Sequence, residues 1–273
     1  MSDLDKLAQL IQNITLSSDN KERKECELIL QKAKETSIDQ YFTLMFQLLR
    51  SKLISLLNHS FHLCLASSNK QIRSFCAFTM KKQFSALSDP DASSAWEKIS
   101  GQTAKLIKDE IFIALRDETT SSVRIQICNL IGELGATIFI LEVDSQVRFE
   151  NKSWPELLGR IQELWLSNID TMMEAALLIL SVLFPYAENR FSLLSKSSHT
   201  MFKTGMEHDS IEIKAAALNA MSSWLGTCGL KMCKPFEKLI PLMMDTLLVV
   251  LAGNEDKVIF LVSPPNSYMS SKI

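Results

Sequence analysis

Four basic residues, Arg23, Arg73, Arg124 and Lys214, stand in one recurring local pattern, and that recurrence restricts the chain to repeat architectures. Around them the sequence reads "KERKECELIL", "QIRSFCAFTM", "SVRIQICNLI" and "EIKAAALNAM". In each, a small or aliphatic residue follows three or four places on (Cys26, Cys76, Ile127 with Cys128, Ala217), and further aliphatics follow it. A fifth stretch, "MMEAALLIL" around Met173, keeps the apolar part without the basic residue. The spacings between successive anchors are 50, 51, 49 and 41 residues, a period typical of helical-pair repeats. Such a unit cannot bury its apolar face alone and must stack on its neighbours. The reading predicts an all-α chain, an α-solenoid of about five and a half helical pairs.

The stretch "SSVRIQICNLIGELG" shows the local logic. At about 100° per residue, Val123, Ile127, Leu130, Ile131 and Leu134 share one face, with Gln126, Asn129 and Glu133 opposite. Arg124 lies at the border, where its stem can follow apolar surface while its guanidinium reaches water or a carboxylate on the next helix. Apolar periodicity predicts helices over 4–16, 20–35, 38–50, 69–87, 94–116, 120–140, 154–166, 170–184, 190–206, 211–226 and 235–251. The strings "SSDNKE", "DETTSS" and "EHDS" offer side-chain oxygens to the unpaired N–H groups of the helices they precede. Pro155 is predicted in the first turn of its helix, where a missing N–H costs nothing.

The small residue of each pattern has a physical use, because a large side chain at a helix crossing would hold the two axes apart. The basic residue has one too. Arg23, Arg73, Arg124 and Lys214 are read as a structural ladder that bonds acidic side chains or helix carbonyls of a neighbouring repeat. Asp19, Asp117 and Asp209, in the preceding turns, are the candidate partners.

Composition excludes several functions. Net charge is −2, so no excess of Lys and Arg calls for direct nucleic-acid binding. Only 8 Gly and 7 Pro occur, which suits helices. The six cysteines are dispersed, with Cys26, Cys76 and Cys128 at helix-face positions where a thiol acts as a small hydrophobe, pointing to a reducing compartment. "MSDLDKLAQLIQ" lacks the pattern of a secretory signal, and no uncharged apolar run reaches about 18 residues, so membrane insertion is not expected. His59, His62 and Cys64 form H-x-x-H-x-C without a fourth ligand at a recognised spacing, and are read as incidental. Cys228 and Cys233 are read as helix-end packing or a free pair. No P-loop, dinucleotide turn or nucleophile elbow occurs, so no enzyme activity, metal or cofactor is expected. Met172, Met173, Met243 and Met244 are read as core filler, and Trp96, Trp154, Trp165 and Trp224 as packing between repeats.

The order "VR..IC..IGELG", then "WPELLGRIQELW", then "EAALLIL" resembles the N-terminal HEAT repeats of the importin β family, with most likeness to the class called Ran-binding protein five, importers of ribosomal proteins and histones. The likeness runs from Leu4 to Lys257 and is strongest from Lys105 to Leu183. It implies a nuclear transport receptor in cytoplasm, nucleus and nuclear pores that binds Ran-GTP, cargo proteins (ribosomal proteins or histones) and nucleoporins. It implies that the Ran surface lies on the inner, second helices of the first repeats, here 20–35, 69–87 and 119–138. The motif visible here is a packing motif, and it assigns no single Ran contact.

Two places depart from the family pattern. "KLISLLNHSFHLCLA", about 52–66, stands where a short turn should join two helices, and is read as a retained intron or lineage-specific insertion. The solenoid is predicted over 1–257, followed by a non-family tail over 258–273. In that tail Pro264 and Pro265 prevent a partner for the helix at 235–251, so the chain reads as truncated. The rival reading from another class is a HEAT scaffold of a phosphatase or other assembly that does not meet Ran.

Overall fold

The computed structural model describes residues 2–50, 62–85, 95–144, 152–186, 191–227 and 233–253. The fold is all-α, a succession of helical pairs as in an α-solenoid, with no strand among the described residues. The pairs are α1 (Asp3–Leu16) with α2 (Asn20–Thr36), α3 (Ile38–Arg50) with α4 (His62–Phe84), and, after a short α5 (Ala95–Lys98), α6 (Gly101–Asp117) with α7 (Ser121–Asp144). Next come α8 (Leu157–Leu166) with α9 (Asp170–Leu183), α10 (Phe191–Glu207) with α11 (Ile211–Thr227), and then α12 (Ile240–Gly253). Two compact units divide the chain, Met1–Leu157 and Leu158–Ile273.

In the first unit the helix starts are fixed by side-chain caps. Ser2 and Asp5 form a capping box, each side chain accepting the other's backbone N–H, at 3.2 and 2.9 Å. Asp19 caps α2 by accepting the N–H of Lys21 at 2.7 Å. The core gathers on α3, which buries Tyr41, Phe42, Met45, Phe46, Leu48 and Leu49, whereas α2 buries only Cys26 and Leu30. An aromatic chain ties α3 to α4 and α5: Phe42 and Phe84 have ring centres 4.6 Å apart, and Phe84 meets Trp96 edge-on at 5.6 Å. Phe112 of α6 meets Trp154 at 5.9 Å. Helix α7, over Ser121–Glu142, is long and apolar enough to cross a membrane. Instead it packs on α4 and α6 and fully buries Val123, Ile127, Leu130, Ile131 and Leu134, as a core helix does.

In the second unit α11 is central, packing on α9, α10 and α12. Trp224 of α11 sits edge-on to Phe184 at 4.9 Å and against Phe236 at 5.2 Å, and Phe202 of α10 closes the cluster at 5.8 Å from each phenylalanine. Met172 and Met173 are buried on α9. All four tryptophans are buried.

Several predicted boundaries need correction, each for a local reason. The single helix expected over 94–116 is α5 and α6 with a break at Ser100. There the Ser100 side chain accepts the N–H of Thr103 at 3.2 Å, and the Ser100 N–H is held by Asp39 of α3 at 2.8 Å. The helix expected over 69–87 begins earlier and ends sooner, at His62 and Phe84. The segment expected to be helical from 235 is a 3-10 turn over Lys234–Leu239 before α12 begins. Pro241 has no N–H to donate back to the preceding turn, so an α-helix can start there but cannot pass through. Pro155 stands in a turn closed by Leu157 N–H to Trp154 O at 3.2 Å, just ahead of α8. The predicted insertion over 52–66 is outside the described residues except for the backbone of α4 from His62, as are the side chains of His59, His62 and Cys64, the residue Cys228, and the tail over 258–273.

Candidate functional surface

The charged element most fully formed in the first unit is the pair between Arg73 of α4 and Glu118, which caps the C-terminus of α6. The guanidinium donates from Nε to Glu118 Oε2 at 2.7 Å and from a terminal nitrogen to Oε1 at 3.1 Å. Oε1 also accepts the N–H of Thr120 at 2.7 Å. Both side chains are nearly buried, 11% and 5% exposed. Burial pushes the Glu118 carboxyl upward, but the Arg73 hydrogen bonds and the Thr120 N–H outweigh it and hold the group below the ordinary glutamate range. The Thr120 carbonyl in turn accepts the N–H groups of Val123 and Arg124, starting α7. One fork-shaped contact therefore joins α4 to the turn between α6 and α7.

The other three basic positions are used differently. Arg23 donates to the Asn20 side chain within α2. Arg124 is itself buried, at 8% exposure, beside the fully buried Val123 and Ile127. Lys214 donates its ammonium to the carbonyl of His208, in the turn before α11. The His208 ring also works here: its Nδ1 accepts the Ser210 N–H at 3.1 Å, and its Nε2 faces Asp170 at 3.8 Å. Asp19, one of the candidate partners, caps its own helix by accepting the Lys21 N–H.

Sequence reasoning passed over the anchor that Arg73 uses. Glu118 lies inside the string "DETTSS", where only capping was expected. Two lysines were also missed. Lys108 donates to Ser153 O at 2.7 Å and Lys152 to Glu97 O at 2.6 Å, and desolvation lowers the pKa of both. Lys152 approaches Asp39, whose carboxyl is pushed up by burial but, on balance, lowered by hydrogen bonds from Ser100 and Thr103. Arg50 of α3 pairs with Glu110 of α6. The Tyr41 hydroxyl is pushed up to about 12 by burial, and burial likewise raises the Cys76 thiol, whose Sγ is 3.9 Å from Met45 Sδ. Neither group ionises near neutral pH, so they serve packing. Among the described residues no cluster of His, Cys, Asp or Glu could hold a metal ion.

The three helices expected to form the inner surface each pack within the first unit. Helix α4 packs on α7 and on α1, while α2 packs on α1 and α3. Ser85 beyond α4 donates to Glu133 of α7 at 3.1 Å. What these helices leave to solvent is specific: Leu28 and Ile29 on α2, and Phe78 on α4 at 51% exposure, with the Lys81 ammonium 5.9 Å from its ring centre. Exposed apolar residues thus occur on both helices, one of them beneath a lysine.

Similar solved structures agree with this architecture. The crystal structure of Kap121p is 20% identical over 94% of this chain and 21% of its own, with a TM-score of 0.66. Kap95p, in a structure in which its binding induces the switch loops of RanGDP to adopt the GTP-bound conformation, is 20% identical over 95% of this chain and 28% of its own, with a TM-score of 0.69. Importin beta, crystallised in an ammonium sulfate condition, is 19% identical over 89% of this chain and 26% of its own, with a TM-score of 0.68. The chain thus spans between about a fifth and somewhat over a quarter of the length of the structures it matches. No curated protein matches it. The family model described as "IPO5-like, TPR repeats" matches residues 119–262, more than half of the chain. On that match, together with the helical-pair fold, the chain belongs to the importin β family, in the group described as IPO5-like, TPR repeats.

Proposed function

We propose that the chain is the Ran-binding arm of a nuclear transport receptor, most like the Ran-binding protein five class, and that it takes part in nuclear protein import. The observation that carries this reading is the family match over residues 119–262. In this reading Ran-GTP is met by the second helices of the first three pairs, within 20–35, 69–87 and 119–138. Their solvent side offers Leu28, Ile29 and Phe78 beside lysines. Cargo proteins, ribosomal proteins or histones among them, and nucleoporins are further partners, and the work is done in the cytoplasm, the nucleus and the pores between them. The chain performs it by binding, without catalysis. Residues 1–257 act as one solenoid, in which Arg73 is the rung between neighbouring pairs and Arg23, Arg124 and Lys214 have local structural roles rather than ligand contacts.

A nucleotide-dependent capture experiment tests this. Immobilised chain is offered Ran loaded with a non-hydrolysable GTP analogue or with GDP. The expected result is GTP-selective capture, orders of magnitude weaker than that of a full-length receptor, because a long arch gains affinity from several separated patches. Phe78→Asp should reduce that capture further while leaving helical content unchanged. Equal capture in both nucleotide states, or none, overturns the proposal and favours a scaffold that does not meet Ran.

A further inference from the structure

Two of the recurring patterns carry an ionisable residue six places before the basic one, Glu118 before Arg124 and His208 before Lys214. Glu118 is reached by Arg73, the basic residue of the pattern before it. The pattern before His208 holds Met173 at that place, so it supplies no cation. The His208 ring makes other contacts. Its Nδ1 accepts the Ser210 N–H at 3.1 Å, and its Nε2 stands 3.8 Å from Oδ1 of Asp170, the first residue of α9. The acid now belongs to the earlier pair and the base to the turn, so the polarity of the Arg73–Glu118 contact is reversed, and the base is one that can lose its charge. Ser210 is where α11 starts: its carbonyl accepts the Lys214 N–H at 3.1 Å and its hydroxyl the Ile213 N–H at 3.4 Å. Around the ring, Lys214 donates to the His208 carbonyl and Glu212 accepts from the Ser210 hydroxyl, both on α11. Lys203 and Glu207 of α10 pair with each other at 3.9 Å. Asp209 is adjacent in the turn, α9 adds Glu174 one turn beyond Asp170, and α12 adds only Asp245.

We infer that His208 is a proton-operated latch between the fourth and fifth helical pairs, closing on Ser210 when neutral and on Asp170 when charged. A neutral imidazole offers one lone pair and one N–H. With Nδ1 accepting from Ser210, the ring proton sits on Nε2, toward Asp170. A second proton can enter only at Nδ1, where it meets the Ser210 N–H, donor against donor. That bond must break. The charged ring is then drawn to the Asp170 carboxylate, and a small rotation from 3.8 Å brings the two into hydrogen-bonding distance. The side chain of His208 is 23% exposed, open enough for water to deliver the proton. Acid thus exchanges a bond inside the turn that starts α11 for one between that turn and α9.

Nuclear magnetic resonance of the full chain, with labelled histidine rings and backbone nitrogen, reads the latch between about pH 8 and about pH 5, the range in which histidine changes charge. At the upper end the His208 ring should show its proton on Nε2. As the ring charges, protection of the Ser210 amide from exchange with water, normalised to an unstructured peptide, should fall roughly fivefold, the factor that one hydrogen bond contributes. Asp170→Asn should move that loss to lower pH, because the charged ring then has no carboxylate to close on. His208→Asn, whose side-chain oxygen can accept the same N–H, should keep the protection and abolish its pH dependence. A neutral ring with its proton on Nδ1 overturns the inference, as does Ser210 protection that ignores the titration of the ring. So does an Asp170→Asn variant identical to wild type, or a pH dependence that survives in His208→Asn.

Discussion

Gly205 of α10 lies against Ala217 of α11 so closely that a Cβ added at Gly205 would stand 2.9 Å from the Ala217 Cβ and 3.3 Å from Leu177 Cδ1. Here the small residue of the recurring pattern meets a second small residue, and the two together let the helices approach.

Gly205→Ala therefore tests the crossing. The new methyl meets another Cβ, which has no rotamer to yield, so the axes must part. Overpacking of this kind costs about 1–3 kcal/mol, offset by up to about 1 kcal/mol from alanine's better helix propensity. A lower urea midpoint is expected, and Ala217→Gly placed in the same chain should restore part of it. Additive losses in the double variant would show that the two positions do not share a contact.

Arg73→Ala leaves the Glu118 carboxylate buried without its cation, still bonded by the Thr120 N–H, and should cost about 3 kcal/mol. Arg124→Ala, which removes buried stem and guanidinium from α7, should cost roughly 1–2 kcal/mol. The Arg73 pair also carries a pH signature. Glu118 has a depressed folded pKa, so its contribution is complete above the ordinary glutamate value and is lost as pH falls through the lower folded value. Wild-type stability should fall on acidification below about pH 5, and Glu118→Gln should flatten that slope. Parallel slopes for the two proteins would remove Glu118 as its source.

Ile127→Asp puts a carboxylate at a fully buried position of the core helix. Arg124 stands three positions earlier on the same helix, but a carboxylate in place of a fully packed aliphatic side chain still costs about 4 kcal/mol or more. The variant should lose its cooperative thermal transition while Ile127→Val keeps it within about 1.5 kcal/mol.

The helices were legible because each is written by residues on its own segment. Val123, Ile127, Leu130, Ile131 and Leu134 point one way at helical spacing, and all five are fully buried. Boundaries failed where a distant residue decides. Nothing near Ser100 announces that Asp39, sixty-one positions earlier, will hold its N–H. The partner of Arg73 was missed for a similar reason. Preceding turns are close in sequence, but the stacking of α4 on α7 brings a later turn, with Glu118, into reach. Helix propensity is local, whereas salt-bridge choice waits for the stack. The exposed residues Leu28, Ile29 and Phe78 were equally hidden, since an apolar residue on an amphipathic helix looks the same in sequence whether or not a neighbour arrives to cover it.

The buried tryptophans carry a practical consequence. Trp96 and Trp154 belong to the first unit, and Trp165 and Trp224 to the second. The chain thus holds an equal pair of native fluorophores on each side of residue 157, in rigid aromatic or helix-crossing surroundings. Replacing either pair by phenylalanine turns emission into a reporter of the other half alone. Two such proteins can separate the denaturation of one half from that of the other, and so measure the cooperativity that nearest-neighbour stacking transmits along a repeat chain.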